Sequence, residues 1–369
     1  MMFSLRADFL TQKIHVSKHF DVEHTLFLFY DEKVPIEGNS MILITGAAGF
    51  IGSVIVHELN LRGEKDLLVC DHFAIGDKWK NLRGLKYSSF VTVENLFSHP
   101  LWKKPGAIKA IYHMGACSDT TELDMDFLYK NNTDFTNRLL TLAAAKNIPI
   151  VYASSAATYG GGEQGYSDDH KGVPALRPLN KYGYSKQLSD EWILKQSKKP
   201  KVWFGVKFFN VFGPQEYHKG KMSSVVYQSF NQISDVGEVK LFKSHHPEYK
   251  DGEQLRDFVY VKDVVRAMIE LIAAGKKKPA LSGIYNLGTG EARSFHDLVK
   301  ATFVGIGKEP KIRFIDMPPE LRNQYQYFTQ ADMSKFKKAL PKFKFMKLED
   351  AVSDYVKNHL AQDDQFLRL

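Results

Sequence analysis

Apolar residues along this chain follow two alternating patterns: short continuous runs, and positions that return every third or fourth residue. The runs Met41-Ile42-Leu43-Ile44 and Leu67-Leu68-Val69-Cys70 have the length and content of strands covered on both faces. Between them Ile51, Ile55 and Leu59 share one side of a helix that the pattern predicts from Phe50 to about Arg62, with Gly63 as its stop. Further strands are predicted at 108–114 and 149–153, with a long helical pattern at 131–146 between them. Another helix opens at Tyr182 and continues through Trp192 and Leu194. Strand and helix alternate in this way from 41 to 208, a rhythm that predicts an α/β fold with a doubly wound parallel sheet.

The first strand runs into Thr45-Gly46-Ala47-Ala48-Gly49-Phe50-Ile51-Gly52, where glycine recurs every third position. That spacing turns the chain tightly, brings backbone N–H groups against a pyrophosphate and packs the new helix close to the strand. The phosphates would rest on the helix N-terminus, whose free N–H donors and dipole favour an anion. Glycine-rich turns also close ordinary loops, so context decides. The second strand ends in Asp71, near the offset of about 20 residues at which a carboxylate meets an adenosine ribose. Turn, helix and acid together predict a Rossmann-type dinucleotide site. The strand at 108–114 leads into Gly115-Ala116-Cys117-Ser118, small residues that let the backbone pass close to a cofactor. His113 and Cys117 themselves read as packed or structural groups.

Ser154-Ser155-Ala156-Ala157-Thr158-Tyr159-Gly160 follows a predicted strand at its C-terminal end, where open α/β sheets place their ligands. Alone, a serine pair there is turn or cap chemistry. Twenty-seven residues beyond Ser155, Tyr182 and Lys186 stand four apart and share one helix face. A phenol with a pKa near 10 is a poor base at neutral pH, and a neighbouring ammonium together with a positive nicotinamide lowers it toward use. A tyrosine four before a lysine arises often on surface helices, so the weight lies on the ordered set of glycine turn, Ser155, Tyr182 and Lys186.

With that set the chain, from Met41 onward, resembles the extended short-chain dehydrogenase/reductase family. Within it the likeness is to nucleotide-sugar epimerases that act on an ADP-heptose in lipopolysaccharide inner-core biosynthesis. Gly115 to Ser118, Ala153 to Gly161 and Phe209-Asn210-Val211-Phe212-Gly213-Pro214 carry the general resemblance. His218-Lys219-Gly220 and Tyr325-Gln326-Tyr327-Phe328-Thr329-Gln330-Ala331-Asp332 carry the specific one. The resemblance implies that Ser155 and Tyr182 hold the reacting hydroxyl, Lys186 binds the nicotinamide ribose, and Lys219 is the second acid/base group, with His218 its substitute should the lysine be inert. It places the dinucleotide on Gly46, Gly49, Phe50, Ile51 and Gly52, on Asp71, His72 and Lys78, and on Met114, Gly115, Ala116, Cys117 and Ser118. Asn132, Lys186, Val211 and Lys219 complete that set. It places substrate on Ser155, Asn210, Lys243 and Ser244, on Leu241 and Phe242 near the adenine, and on Arg256 and Tyr325 at the phosphates. Lys221 and Gln228 stand where the family shows Ser and His, so sugar contacts are expected to differ there. A guanidinium at 256 suits phosphate, because it forks onto two oxygens as a lysine cannot; an Asp257-paired arginine is the plainer alternative.

The expected reaction is NADP-dependent: hydride leaves C6 of the heptose, the ketone turns, and hydride returns to the other face. NAD stays open, since Asp71 alone suits an unphosphorylated ribose while Lys78 suits a 2′-phosphate. A UDP- or GDP-sugar 4-epimerase and a non-catalytic dinucleotide sensor are the rival readings. A 4,6-dehydratase is disfavoured because Ser155-Ala156-Ala157 replaces that family's Thr-Asp-Glu set. The expected organisation is a Rossmann-type domain at 41–209, completed by about 257–290 and 329–369, and a smaller substrate-binding domain from 210–256 and 291–328.

Composition narrows the setting. The 369 residues are 44% hydrophobic and 25% charged, ordinary for a globular chain. A net charge of +8 is spread over scattered lysines, which reads as a solvated surface suited to an anionic small substrate rather than to nucleic acid. Two cysteines allow no disulfide framework and no metal set, and suggest a reducing, cytoplasmic home. No apolar run approaches the ~18 residues of a membrane span. Residues 1–40 precede every predicted motif; their apolar stretch from Thr25 to Tyr30 is too short and too late for a signal peptide. They are expected to be an extension outside the core fold, the alternative being an arm that docks on a neighbour. The resemblance suggests a homo-oligomer, specifically a homopentamer.

Overall fold

The computed structural model of the chain describes residues 40–73, 75–322 and 325–369. The expected N-terminal extension lies, up to residue 39, outside the described residues.

Strands β1 (Met41–Thr45), β2 (Leu67–Asp71), β3 (Ser89–Thr92), β4 (Ile108–His113), β5 (Ile150–Ser155) and β6 (Trp203–Phe208) form one sheet. After an excursion through β7 (Asn210–Phe212), β8 (Val239–Phe242) and β9 (Leu255–Tyr260), β10 (Gly283–Leu287) joins its far edge. The order is β10-β6-β5-β4-β1-β2-β3, and every pairing is parallel. Leu43, Ile44, Val69, Ile111, Ile150, Val151, Phe204 and Val206 are fully buried, as continuous apolar strands between helical layers should be. Strand order reverses between β1 and β4, so the turns after these two strands flank the crevice where such sheets hold ligands.

Helices α1 (Phe50–Leu61), α2 (Phe135–Lys146) and α3 (Lys181–Lys195) connect the strands. The predicted helix at 131–146 begins differently from the expectation. Tyr129–Asp134 forms a wider turn before the regular helix, and that widening carries Asn132 into a fully buried position.

Beyond 209 the chain builds smaller sheets. β9 pairs in parallel with β7 and antiparallel with β11 (Ala292–Ser294), and β8 pairs in parallel with β12 (Ile312–Ile315). Helices α4 (Val225–Val236) and α6 (Phe295–Ile306) pack on this pair through a core of their own: Ile233, Val239, Leu241, Val299 and Phe303. Between the two regions, α5 (Val261–Lys277) buries Val261, Val264, Val265, Met268, Leu271 and Ile272, a stripe at helical spacing. Among the described residues no helix is long and apolar enough to cross a membrane.

Candidate active site

At the crevice, the glycines decide how closely backbone approaches backbone. Gly46 has φ +65°, and a side chain there would meet the Gly115 and Met114 backbone at 2.6–2.8 Å. A Cβ on Gly52 would stand 2.0 Å from the Gly46 carbonyl oxygen, so the first turn of α1 lies directly against the turn that follows β1. Gly49 caps α1 with no side-chain hydrogen bond, and the first turn carries no acid. The first N–H groups of a helix have no partner within it, so this end is shaped and charged for an anion. The cradle fits a dinucleotide pyrophosphate.

Asp71 is buried and fully engaged. Its Oδ2 accepts the Ala48 N–H at 2.7 Å; its Oδ1 accepts the His72 N–H at 2.8 Å and the Lys78 ammonium at 2.6 Å. The His72 ring stays largely exposed, its Nδ1 3.9 Å from Asp71. Across the crevice Asn132 reads the backbone of Cys117 in both directions, accepting its N–H at 2.8 Å and donating to its carbonyl at 3.0 Å, and also donates to Ser185 Oγ at 3.0 Å. The site placement of Gly115 to Ser118 thus depends on α3. His113 sits between Thr45 (2.6 Å) and Thr136 (2.8 Å); burial, with Lys186 nearby, lowers its pKa to about 3. It is a neutral structural imidazole, and Cys117 is half-buried beside the same turn.

The face of α3 that carries Tyr182, Lys186 and Asp190 docks on the end of β5. Asn180 Oδ1 caps the helix by accepting the Gly183 N–H at 2.7 Å, which sets Tyr182 in the first turn. The Tyr182 phenol is hydrogen-bonded with Ser155. Lys186, buried, donates to the Ala153 carbonyl at 3.0 Å, and Asp190 Oδ2 accepts from Ser154 at 2.7 Å. Asp190 also accepts from Tyr152 at 2.8 Å and from the Lys207 ammonium at 2.7 Å, a buried ion pair beneath the site. Positions 182, 186 and 190 therefore meet four consecutive residues of β5, Tyr152 to Ser155. Burial lowers Lys186 to about 8. For Tyr182 the structure differs from the expectation. Burial raises the phenol, with only the Ser155 hydrogen bond pulling it back, and the Lys186 ammonium sits 6.0 Å from the ring centroid. Any lowering has to come from the positive charge of a bound cofactor.

Lys219 lies in the short helical stretch Tyr217–Met222 after β7. Its ammonium is 5.3 Å from the centroid of Phe50, so a residue far along the chain returns to the glycine turn. Burial lowers its pKa, and Glu216 opposes that shift. The neighbouring His218 ring contacts Asn81 at 3.3 Å and falls to about 4 through burial and the Lys78 and Lys219 charges. Val211 lies in β7 opposite Val259, and Asn210 opens that strand exposed.

A cavity of about 400 Å³ is lined by Val225, Gln228, Ser229, Gln232, Val239, Lys240, Leu241, Phe242, Gln254, Phe295, Ile315 and Tyr325. Four expected substrate residues thus converge: Gln228, Leu241, Phe242 and Tyr325. Arg256, buried, lies 5.1 Å from the Tyr325 ring and 5.5 Å from the Phe295 ring. It is not paired with Asp257, which instead accepts from Thr289, Gly290 and Ala331, and among the described residues Arg256 has no carboxylate within salt-bridge reach. Burial accordingly disfavours its charge, the state in which an anionic ligand is most welcome. Lys243 is drawn to Asp316 at 3.3 Å and Ser244 into a local turn with Asp251 and His246. Lys221 meets Gln228 through its carbonyl at 3.2 Å.

Asn81, Gln215 and Glu216 are buried polar residues that sequence reasoning passed over. Asn81 donates to the Ala48 and Gln215 carbonyls at 2.9 Å, and Gln215 donates back to the Asn81 carbonyl at 2.9 Å. The adjacency of Gln215-Glu216 to His218-Lys219 was the available signal.

Residues 42–288 match the NAD dependent epimerase/dehydratase family. The ADP-L-glycero-D-manno-heptose-6-epimerase of Fusobacterium nucleatum is 49% identical over 336 residues, covering 89% of this chain and 100% of the relative. Its namesake in Nitratidesulfovibrio vulgaris is 45% identical over 328 residues, with 89% and 100% covered. The crystal structure of the Helicobacter pylori ADP-L-glycero-D-manno-heptose-6-epimerase matches with a TM-score of 0.72 at 32% identity, over 87% of this chain and 96% of that one. The structure of MoeE5 with UDP-glucuronic acid and NAD matches at 0.67 and 25% identity, over 87% and 98%.

Proposed function

The chain belongs to the NAD dependent epimerase/dehydratase family, and from that premise we propose that it converts ADP-D-glycero-β-D-manno-heptose to the L-glycero epimer by transient oxidation at C6. The observation that carries the reading is the conjunction of an apolar, base-sized cavity with a buried arginine that has no carboxylate partner among the described residues. An adenine occupies the first and a diphosphate the second. Removal and return of hydride at C6 is the chemistry that a nicotinamide dinucleotide supplies when bound. The residues do the rest. Ser155 and Tyr182 hold the C6 hydroxyl and take its proton, Lys186 orients the nicotinamide ribose, and Lys219 handles the proton on the opposite face. Inversion at one carbon needs both groups, because a single fixed base reaches only one face of a planar ketone. Residues 210–256 and 291–328 serve as the substrate-binding part. The same reading carries a place in lipopolysaccharide core assembly, a cytoplasmic setting and a homo-oligomer.

Incubating the purified protein with ADP-D-glycero-β-D-manno-heptose and separating the epimers by chromatography tests this directly. Conversion to a mixture of the two is expected; no conversion with cofactor bound overturns it. For the cofactor we infer NADP. Lys78 neutralises Asp71, whose charge would otherwise repel a 2′-phosphate, and His72 lies exposed beside them. Mass analysis of the nucleotide released on denaturation checks the choice, and NAD alone would refute it.

A further inference from the structure

We propose that Glu216 is a positioning residue: its buried carboxylate ties the loop that carries Lys219 to the helix that lines the substrate cavity, so that an ordered cavity also sets the acid/base lysine. The inference rests on the assignment of Lys219 made above. Glu216 has no exposed surface. Its Oε1 accepts the Gly213 N–H at 3.2 Å and the Ser224 hydroxyl at 2.7 Å, and its Oε2 accepts the Ser224 N–H at 2.5 Å. Ser224 is in turn the cap of α4, its hydroxyl accepting the Tyr227 N–H at 3.2 Å. That helix supplies Val225, Gln228, Ser229 and Gln232 to the cavity wall. Gln228 adds a second tie, donating to the Ser223 carbonyl at 2.8 Å.

On its other side the same loop is held to the cofactor turn. The reciprocal Asn81–Gln215 hydrogen bonds end on the Ala48 carbonyl. Lys219 stands between the two attachments, its N–H donating to the Glu216 carbonyl at 2.9 Å. A fully buried carboxylate is costly unless its oxygens are satisfied, and three donors from the start and end of one loop satisfy this one. No neutral side chain of that size offers acceptors only. Glu216 is enclosed, so its effect on turnover runs through the loop.

Glu216→Gln keeps the shape but turns one acceptor into a donor that faces other donors. The expected result is a kcat lower by about 10- to 100-fold with KM within about threefold and cofactor retained. On a Lys219→Met background the same substitution should cost almost nothing more, since a residue acting through the lysine has nothing left to position. Ser224→Ala removes one of the three bonds to Glu216 together with the α4 cap and should reproduce the pattern at about fivefold; it decides the matter if Glu216→Gln does not fold. Equal losses on both backgrounds, or a raised KM at unchanged kcat, would overturn the proposal. Wild-type turnover by Lys219→Met alone refutes instead the two-base reading beneath it.

Discussion

Tyr182 and Lys219, assigned to opposite faces of the same carbon, are held by very different structure. Tyr182 stands in the first turn of a 15-residue helix, with Lys186 and Asp190 one and two turns on, all gripping the end of a central strand. Lys219 stands in a six-residue stretch broken at Gly220, φ +53°, whose order comes from Glu216, Gln215 and Asn81. A regular element fixes a side chain by repetition, whereas a loop needs a buried polar anchor for each residue it must hold. Tyr182 is therefore robust to single changes in its surroundings, and Lys219 is exposed to them.

The largest effects test the pair itself. Tyr182→Phe and Lys219→Met should each lower epimerisation by about 100-fold or more while leaving fold and bound cofactor intact. With an aldehyde analogue each single variant should still process the face served by the other group. Near wild-type epimerisation by Lys219→Met would end the symmetry of the comparison. The strand-built side carries its own pH signature through His113. Its folded pKa of about 3 lies below the ordinary 6.5, so the unfolded chain takes up the proton first and stability falls as pH drops. From pH 7 to pH 5 the loss from this group is about 2 kcal/mol, read as a fall in the urea midpoint. A His113→Asn variant should show a flatter dependence over that range; an unchanged slope would remove His113 as its source. On the substrate side, Arg256→Lys should raise KM about tenfold with little change in kcat, because the fork onto phosphate is lost but the charge is kept. Steady-state kinetics at saturating cofactor measure it, and an unchanged KM would place the phosphates elsewhere. The smallest effect is expected from deleting residues 1–40, since every assigned residue lies at or beyond Gly46. Turnover and assembly, followed by activity and light scattering, should not change.

Much of the strand-built side was legible along the chain. Gly46, Gly49 and Gly52 announce the cradle because backbone contact forbids a side chain at Gly46 and Gly52 and crowds one at Gly49, and Tyr182 and Lys186 share a face by helix geometry alone. The same holds for the continuous apolar runs that became the parallel sheet. What the linear order could not express were properties created by packing. Asp71 and Lys78 were each noticed, but not that they bind one another at 2.6 Å, which turns a carboxylate that excludes a 2′-phosphate into a neutral pair. The raised phenol of Tyr182 follows from burial, a quantity no spacing encodes. Asn81 and Gln215 lie 134 residues apart, and Glu216 looked like any loop acid until folding removed its water. A buried polar group must find its partners inside the protein, and those partners are chosen by which elements meet, so the sequence by itself determined the sheet, the glycine cradle and the order of the chemical groups. The tertiary structure alone decided how the lysine loop was brought to that cradle, how the cavity helix was tied to that loop, and which neighbours the buried Arg256 would find.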